Sequence, residues 1–150
     1  FAAACEVGAV VADQNAANQA ALRSYGMNLG IAFQLVDDAL DYSAQQAELG
    51  KEIGDDFREG KVTLPLLLAY RRGDAGERAF WERVIARGEQ EAGDLEQAME
   101  IMTRHDTLAA TLERAQHYVN MAKDDLALFP DGDLRQAMID VADFCVQRGY

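Results

Sequence analysis

The chain has 150 residues, 49% of them hydrophobic, and a formal net charge of −12 from 26 acidic against 14 basic side chains. That length is about one domain's worth and buries roughly two-thirds of its unfolded surface on folding. The acidic balance disfavours nucleic acid and other polyanionic partners, and no apolar run reaches the roughly 18 residues of a transmembrane helix.

Taken in chain order, the elements read as helices throughout. Residues 1–12 are Ala-rich with Gly8 and predict a tightly packed, buried helix end. Asp13 to Asn15 form a break with N-cap candidates. Residues 16–43 predict one long helix of roughly 40 Å at about 1.5 Å per residue. Gly26 and Gly30 inside it cost helix propensity, about 1 kcal/mol each, and make sense where a neighbouring helix or a ligand approaches closely. Residues 45–60 read as a functional loop. Residues 62–71 are an apolar helix ended by Gly73, and residues 77–86 a helix carrying Phe80, Trp81, Val84 and Ile85 as core. Residues 95–104 place Leu95, Met99 and Met102 on one side. Asp106 is expected to cap a helix running to residue 128, the stretch Phe129-Pro130-Asp131-Gly132 to turn, and residues 134–147 to close the chain as a helix. No repeat and no hairpin signal is present, so the fold class is all-α.

The informative stretch is GIAFQLVDDALDY, residues 30–42. Three carboxylates, Asp37, Asp38 and Asp41, sit among apolar residues at helical spacing, where buried charge is usually paired or binds metal. On a helix Asp37 and Asp41 lie roughly 40° apart around the axis and about 6 Å apart along it, so both face one cavity; Asp38 is turned by about 100°. Their mutual repulsion calls for a positive partner. With no His nearby, the ligands on offer are oxygens, which suits a hard divalent cation. Mg²⁺ typically takes one or two carboxylates and completes its shell with water and phosphate oxygens. The alternative is a solvated acidic helix face.

A second stretch, LGKEIGDDFREGKVTLPLLLAY, occupies residues 49–70 just behind the first. Lys51 and Lys61 are phosphate-capable point charges. Gly50, Gly54 and Gly60 let backbone approach a ligand, and Asp55 and Asp56 add carboxylate oxygens. Thr63-Leu64-Pro65 opens the next helix, with Pro where a first turn tolerates it. Lysines alone would suggest anion binding and carboxylates alone calcium; the combination suits a metal–diphosphate complex.

The segment FQLVDDALDY…LGKEIGDDFREGKVTLPLL resembles the second aspartate-rich region of the trans-isoprenyl diphosphate synthases. The resemblance is densest over residues 30–68, and Tyr42, the EGK around Lys61 and the TLPLL stretch are most similar to the long-chain, octaprenyl-to-decaprenyl branch. It implies an antiparallel helical bundle of the isoprenoid synthase type. It implies Asp37 as a direct Mg²⁺ ligand, with Asp38 and Asp41 acting directly or through water, and Asp56 supporting the metal's water shell, with Asp55 beside it as the rival. Lys51 and Lys61 would hold the allylic diphosphate, Gln34 would stand near the reacting centre, and Phe33 and Arg148 would contact substrate. The implied reaction condenses an allylic diphosphate with isopentenyl diphosphate. A homodimer in the cytoplasm is also implied, feeding respiratory quinone tails as one guess.

The family's first aspartate-rich motif, its upstream diphosphate-binding arginines and its Lys-Thr pair do not occur in these residues. Residues 1–150 are therefore expected to be the C-terminal part of a single all-helical synthase domain, inactive by themselves. A terpene cyclase or head-to-head synthase, and a non-catalytic subunit of a heteromeric synthase, are the alternatives; the GKEIGDDFREGK loop and the retained aspartates argue against them.

Other residues read as structural. Cys5 and Cys145, among apolar neighbours, predict two buried thiols rather than a disulfide and fit a reducing compartment. His105 is expected to cap a helix or face solvent, His117 to lie on the surface, and Asp124-Asp125 to be a solvated helix end.

Overall fold

The computed structural model describes residues 1–43 and 53–147, and every regular element among them is helical. In order these are α1 (Ala2–Val11), α2 (Ala16–Leu40), α3 (Asp55–Arg58), α4 (Leu64–Arg72), α5 (Ala75–Trp81), α6 (Asp94–Arg104), α7 (Thr107–Asp125) and α8 (Asp133–Gln147). A π-helical turn, Glu82–Ala86, extends α5, and a 3₁₀ turn, Leu126–Leu128, extends α7. The expected all-α class holds. The chain divides into two compact units, one of Phe1–Val36 with the segment from Glu113 onward, the other of Asp37–Leu112.

In the first unit α2 begins where Asn15 caps it, its Oδ1 accepting from the Asn18 N–H at 2.9 Å. The two glycines of α2 have the predicted close-packing role. A Cβ on Gly26 would lie 2.7 Å from the Phe1 carbonyl oxygen and 2.9 Å from Cys5 Sγ, and one on Gly30 would lie 3.0 Å from Phe1 Cβ. The neighbour that needs the space is thus α1 and the residue preceding it. Tyr25 Oη donates to the Met138 carbonyl at 2.9 Å, and Lys123 reaches Asp143 at 2.8 Å, tying α8 to α2 and α7 respectively. Leu29, Ala32, Val36, Ala115, Val119, Leu126, Ala142 and Cys145 are buried. Neither Cys5 nor Cys145 forms a disulfide; Cys145 is buried as expected and Cys5 half-buried.

Two expectations in this unit fail. Helix α1 is not a buried end: only its Ala9 is buried, while Phe1, Val7, Val10 and Val11 are exposed. Composition signals that a face is apolar but not what covers it. Asp125, expected as half of a solvated pair, accepts from Asn28 Nδ2 at 2.8 Å, an interaction between residues distant in sequence; its neighbour Asp124 is exposed.

In the second unit Phe57, Leu66, Ala69, Phe80, Trp81, Val84, Ala98, Ile101 and Met102 form one core, with Tyr42 joining it from the chain just after α2. Phe80 and Trp81 are core, as their spacing predicts, and meet edge-on at 5.1 Å. Asp74 and Glu77 form a reciprocal capping box at the start of α5. Asp106 stands immediately before α7, at the expected cap position, its carbonyl accepting from the Ala110 N–H at 3.3 Å, and it adopts φ 50°, in the left-handed region. His105 holds the C-cap position of α6, its N–H donating to the Ile101 carbonyl at 3.1 Å, and its side chain is not solvent-facing: Nε2 lies 2.7 Å from Glu77 Oε2, while Arg104 binds the other oxygen of the same carboxylate at 2.5 Å. Arg83 and Asp94 make a bidentate pair at 2.7 and 2.9 Å that fastens the start of α6.

Candidate functional site

The end of α2 and the short helix α3 build the site, both within the second unit. As helix α2 runs out, Asp37 is exposed, Asp38 is buried at 8% exposure, and Asp41 is half-buried. The three carboxylates thus differ in burial, in keeping with a helical turn of about 100° between Asp37 and Asp38. Two contacts tie the residues after the loop back to the helix end. The Gly54 N–H donates to the Asp41 carbonyl oxygen at 2.9 Å. The Asp56 N–H donates to Asp41 Oδ2 at 3.0 Å. Gly54 has φ 82°, and a Cβ there would lie 2.4 Å from Leu95 Cδ1. Its glycine is needed for a left-handed turn and for helix packing, a correction to the expectation that it clears space for a ligand. Gln90 Nε2 holds the opposite end of α3 by donating to the Phe57 carbonyl at 2.8 Å.

Beyond α3 the chain returns so that Lys61 Nζ lies 2.9 Å from Asp56 Oδ1 and 2.7 Å from Glu59 Oε2. The structure therefore joins Asp41, Asp56 and Lys61 in one chain of contacts. Asp55 turns away and pairs with Arg58 at 2.8 Å, so the two adjacent aspartates are separated by geometry. Glu59 is a member of the cluster to which the motif reading gives no role, although it belongs to the EGK stretch around Lys61.

Among the described residues the cluster is short of positive charge. Burial holds the Asp41 carboxyl above the usual carboxylate range; the Asp56 and Asp55 charges push the same way, against the backbone N–H bonds to it. Lys61 is held above the ordinary lysine value by its bonds to Glu59 and Asp56. Tyr42 is buried to 2% exposure, and burial first, then the Asp41, Asp56 and Asp38 charges, raise its phenol well above the ordinary value.

Among the described residues no three carboxylates, histidines or cysteines converge into a closed metal cage. The donor set still fits a hard cation: it consists of carboxylate oxygens, and the half-buried Asp41 has backbone N–H bonds but no cationic partner among the described residues. A cation that takes one or two carboxylates and fills its shell with water and phosphate oxygens needs no closed cage.

Phe33 and Gln34 lie on the same helix but in the first unit. Phe33 stacks at 5.7 Å against Phe1 and, with Leu29, Val141, Phe144 and Cys145, lines an apolar cavity of about 220 Å³. Gln34 is exposed. Lys51 and Arg148 lie outside the described residues. A larger cavity of about 520 Å³ is lined by Asp74, Glu77, Glu96, Glu100 and Arg104 among others, and carries none of the motif residues.

Comparison with known proteins agrees with the motif. The family model described as "Polyprenyl synthetase" matches residues 1–102. The octaprenyl diphosphate synthase of Haemophilus influenzae is 41% identical over the whole chain, which covers 45% of that relative. The crystal structure of a decaprenyl diphosphate synthase from Rhodobacter capsulatus superposes with a TM-score of 0.92 at 49% identity, over 100% of this chain and 46% of that one. A polyprenyl synthase from Caulobacter crescentus, complexed with calcium and isoprenyl diphosphate, gives 0.90 at 53% identity, over 100% and 46% of the two chains. The chain spans somewhat less than half the length of the relatives it matches. With the carboxylate helix, the lysine beyond it and the fold all in agreement, the chain belongs to the polyprenyl synthetase family.

Proposed function

We propose that the chain is the C-terminal part of a single helical synthase domain that condenses an allylic diphosphate with isopentenyl diphosphate to make a long-chain all-trans polyprenyl diphosphate. The observation that carries this is the contact chain Asp41–Asp56–Lys61 at the foot of a helix presenting Asp37 one turn earlier. It puts anionic ligands for a cation beside a cationic side chain for phosphate. The names of the relatives, octaprenyl and decaprenyl diphosphate synthases, support the substrate class and the long-chain branch. The Caulobacter enzyme's complex with calcium and isoprenyl diphosphate supports a divalent cation and a diphosphate as ligands of this fold.

In this reading Asp37, Asp38 and Asp41 hold Mg²⁺, with Asp56 steadying its water shell. Bound there, Mg²⁺ supplies charge neutralisation to the diphosphate leaving group. Lys61 exchanges its carboxylate partners, the half-buried Asp56 and the exposed Glu59, for diphosphate oxygens, and Lys51 serves as the second cation. Gln34 orients the reacting end of the allylic substrate, Phe33 contacts its apolar portion, and Arg148 reaches the diphosphate. The allylic C–O bond breaks and its electron pair leaves with the diphosphate. The double bond of isopentenyl diphosphate attacks the allylic carbon, a C–C bond forms, and the proton lost from the adjacent carbon passes to the departed diphosphate. Charge placed in advance where the leaving group becomes negative lowers the barrier, and the apolar helices keep water from the carbocation. The family resemblance supports a cytoplasmic homodimer. No described helix is long and apolar enough to cross a membrane.

The test is incorporation of radiolabelled isopentenyl diphosphate by the full-length protein with an allylic primer. The proposal expects Mg²⁺-dependent, linear products of about eight to ten isoprene units, as in the named relatives. Cyclised products, or full activity in excess chelator, would refute it. Residues 1–150 alone are expected to give no multi-turnover product, because a part of the cleft does not bring two diphosphates together.

A further inference from the structure

The turn that delivers Lys61 is held from a part of the chain that carries none of the motif. Helix α3 has four residues, too few to stand without outside support. It ends in a Schellman turn. The Gly60 N–H donates to the Phe57 carbonyl at 3.0 Å and the Lys61 N–H to the Asp56 carbonyl at 2.9 Å, with Gly60 at φ 69°. The same turn brings Lys61 Nζ back to Asp56 Oδ1 at 2.9 Å. Where the lysine's backbone starts is therefore set by the carbonyls that close α3.

One of those carbonyls has a second donor. Gln90 Nε2 donates to the Phe57 carbonyl at 2.8 Å and to the Val84 carbonyl at 3.2 Å, so the two protons of one amide join the turn to the π-helical turn after α5. The residues on either side of Gln90 are themselves pinned. Arg83 Nη1 donates to the Glu89 carbonyl at 2.7 Å, and the Glu91 N–H donates to Asp94 Oδ2 at 2.7 Å. The bidentate Arg83–Asp94 pair thus grips the chain immediately before and after Gln90. Fixing a glutamine side chain costs rotamer entropy. Here the backbone that carries it is already fixed, so the amide is presented in place.

We propose that Gln90 is a positioning residue for Lys61: its amide clamps the turn that closes α3 and so sets where the lysine's ammonium stands to meet the allylic diphosphate. This rests on the reading of Lys61 as a diphosphate contact. Gln90 touches no motif side chain; it acts through the Phe57 carbonyl and the turn. The other end of α3 is tied independently, by the Asp56 N–H on Asp41 Oδ2. Losing the clamp therefore frees the end of α3 that leads to Lys61 and leaves the end that meets Asp41 in place.

The experiment is a double-mutant cycle in the full-length protein, Gln90→Met against Lys61→Gln. It is read by steady-state kinetics, by calorimetric binding of a non-ionisable allylic thiolodiphosphate, and by thermal melts. Methionine keeps the length and volume of the side chain and removes the donor. Gln90→Met is expected to lower kcat/KM for the allylic diphosphate about 3- to 10-fold, the worth of one neutral hydrogen bond. Analogue binding should weaken in the same variants in which Lys61→Gln weakens it, and KM for isopentenyl diphosphate should stay within about twofold. In the Lys61→Gln background the same change should cost less than about twofold, since groups that act through one another are not additive. A merely structural glutamine would lower the melting temperature and leave the allylic constants of the folded protein untouched. Allylic constants of Gln90→Met within about twofold of the unaltered protein overturn the proposal, and so does an equal loss with and without Lys61. If Gln90→Met does not fold, Gln90→Asn, whose amide is one methylene too short to span both carbonyls, takes its place in the cycle. Lys61→Gln with no allylic defect would remove the reading of the lysine, and this inference with it. An allylic defect in Lys61→Gln with none in the Gln90 variant removes this inference alone.

Discussion

The second unit contains two carboxylate clusters that differ in how completely they are compensated. At the start of α5, each Glu77 oxygen meets a basic side chain, Arg104 on one and His105 on the other, and the Asp74 N–H adds a further bond. The His105 bond is the main reason that the Glu77 carboxyl lies below the ordinary glutamate value. At the end of α2, Asp41 receives backbone N–H bonds but, among the described residues, no cation, and burial and neighbouring aspartates hold it above the ordinary range. Satisfied charge is what a structural latch needs. Charge left short of compensation, beside a lysine held in two ion pairs, is what a site for a cation and a diphosphate needs. The 520 Å³ cavity borders the satisfied cluster, so cavity size alone points away from the motif.

The largest effect that separates the clusters comes from Asp41→Asn in the full-length protein. Asparagine retains an oxygen for the Asp56 N–H but loses the charge. Turnover should fall by roughly 100-fold or more, comparable to removal of a preorganised charge-stabilising group. Because the folded-state pKa of Asp41 is raised, its ionised form opposes folding at pH 7 and the strain is relieved as pH falls. The same variant should therefore melt level with or above the unaltered protein at pH 7, by up to about 3 °C. Unchanged turnover would return this cluster to the category of surface acidity.

Lys61→Gln sharpens the comparison at the cationic side. If the lysine leaves its carboxylate partners for the allylic diphosphate, its loss should weaken allylic binding or slow ionisation by about 10- to 150-fold. The constants for isopentenyl diphosphate should stay within about twofold. A defect confined to isopentenyl diphosphate would mean that the loop serves the other substrate; no defect would make Lys61 a plain surface residue.

Glu77→Gln should give the smallest change and the opposite signature. Its turnover should stay within about twofold, while its melting temperature at pH 7 drops by about 2–4 °C. Glu77 has a depressed folded-state pKa, so its contribution is present above its unfolded value and is lost as pH falls through the folded one. The difference between variant and unaltered protein should accordingly close below pH 4.5, the ordinary glutamate value. A difference that persists undiminished into acid would show that geometry, not charge, makes the latch.

Most of the helices were legible because apolar residues recur at helical spacing and because Gly73 and Asn15 sit where helices end and begin. The close approach at Gly26 and Gly30 was legible for a related reason: two glycines in one helix interior are costly without a close neighbour. The aspartate helix was legible because charge inside an apolar stretch is costly without a purpose. The features that stayed hidden depend on partners distant in sequence. His105 to Glu77, Asn28 to Asp125 and Gln90 to Phe57 are pairings that no local pattern announces. The exposure of α1 escapes the sequence for the same reason, since hydrophobicity reports a preference for burial and not the presence of a covering surface. The π-helical turn at Glu82–Ala86 left no mark in the apolar periodicity, which it hardly disturbs.

The most direct test of the central claim, that the end of α2 holds a cation and a diphosphate, is Mn²⁺ binding in the presence of the non-ionisable allylic analogue, compared between Asp37→Ala and Glu77→Gln. Asp37 is the exposed carboxylate one turn before Asp41, and if it is a ligand its removal should weaken diphosphate-dependent Mn²⁺ binding by at least about tenfold. Glu77→Gln should bind as the unaltered protein does. Equal binding by Asp37→Ala and the unaltered protein, or a loss found in Glu77→Gln instead, would contradict the assignment of the site.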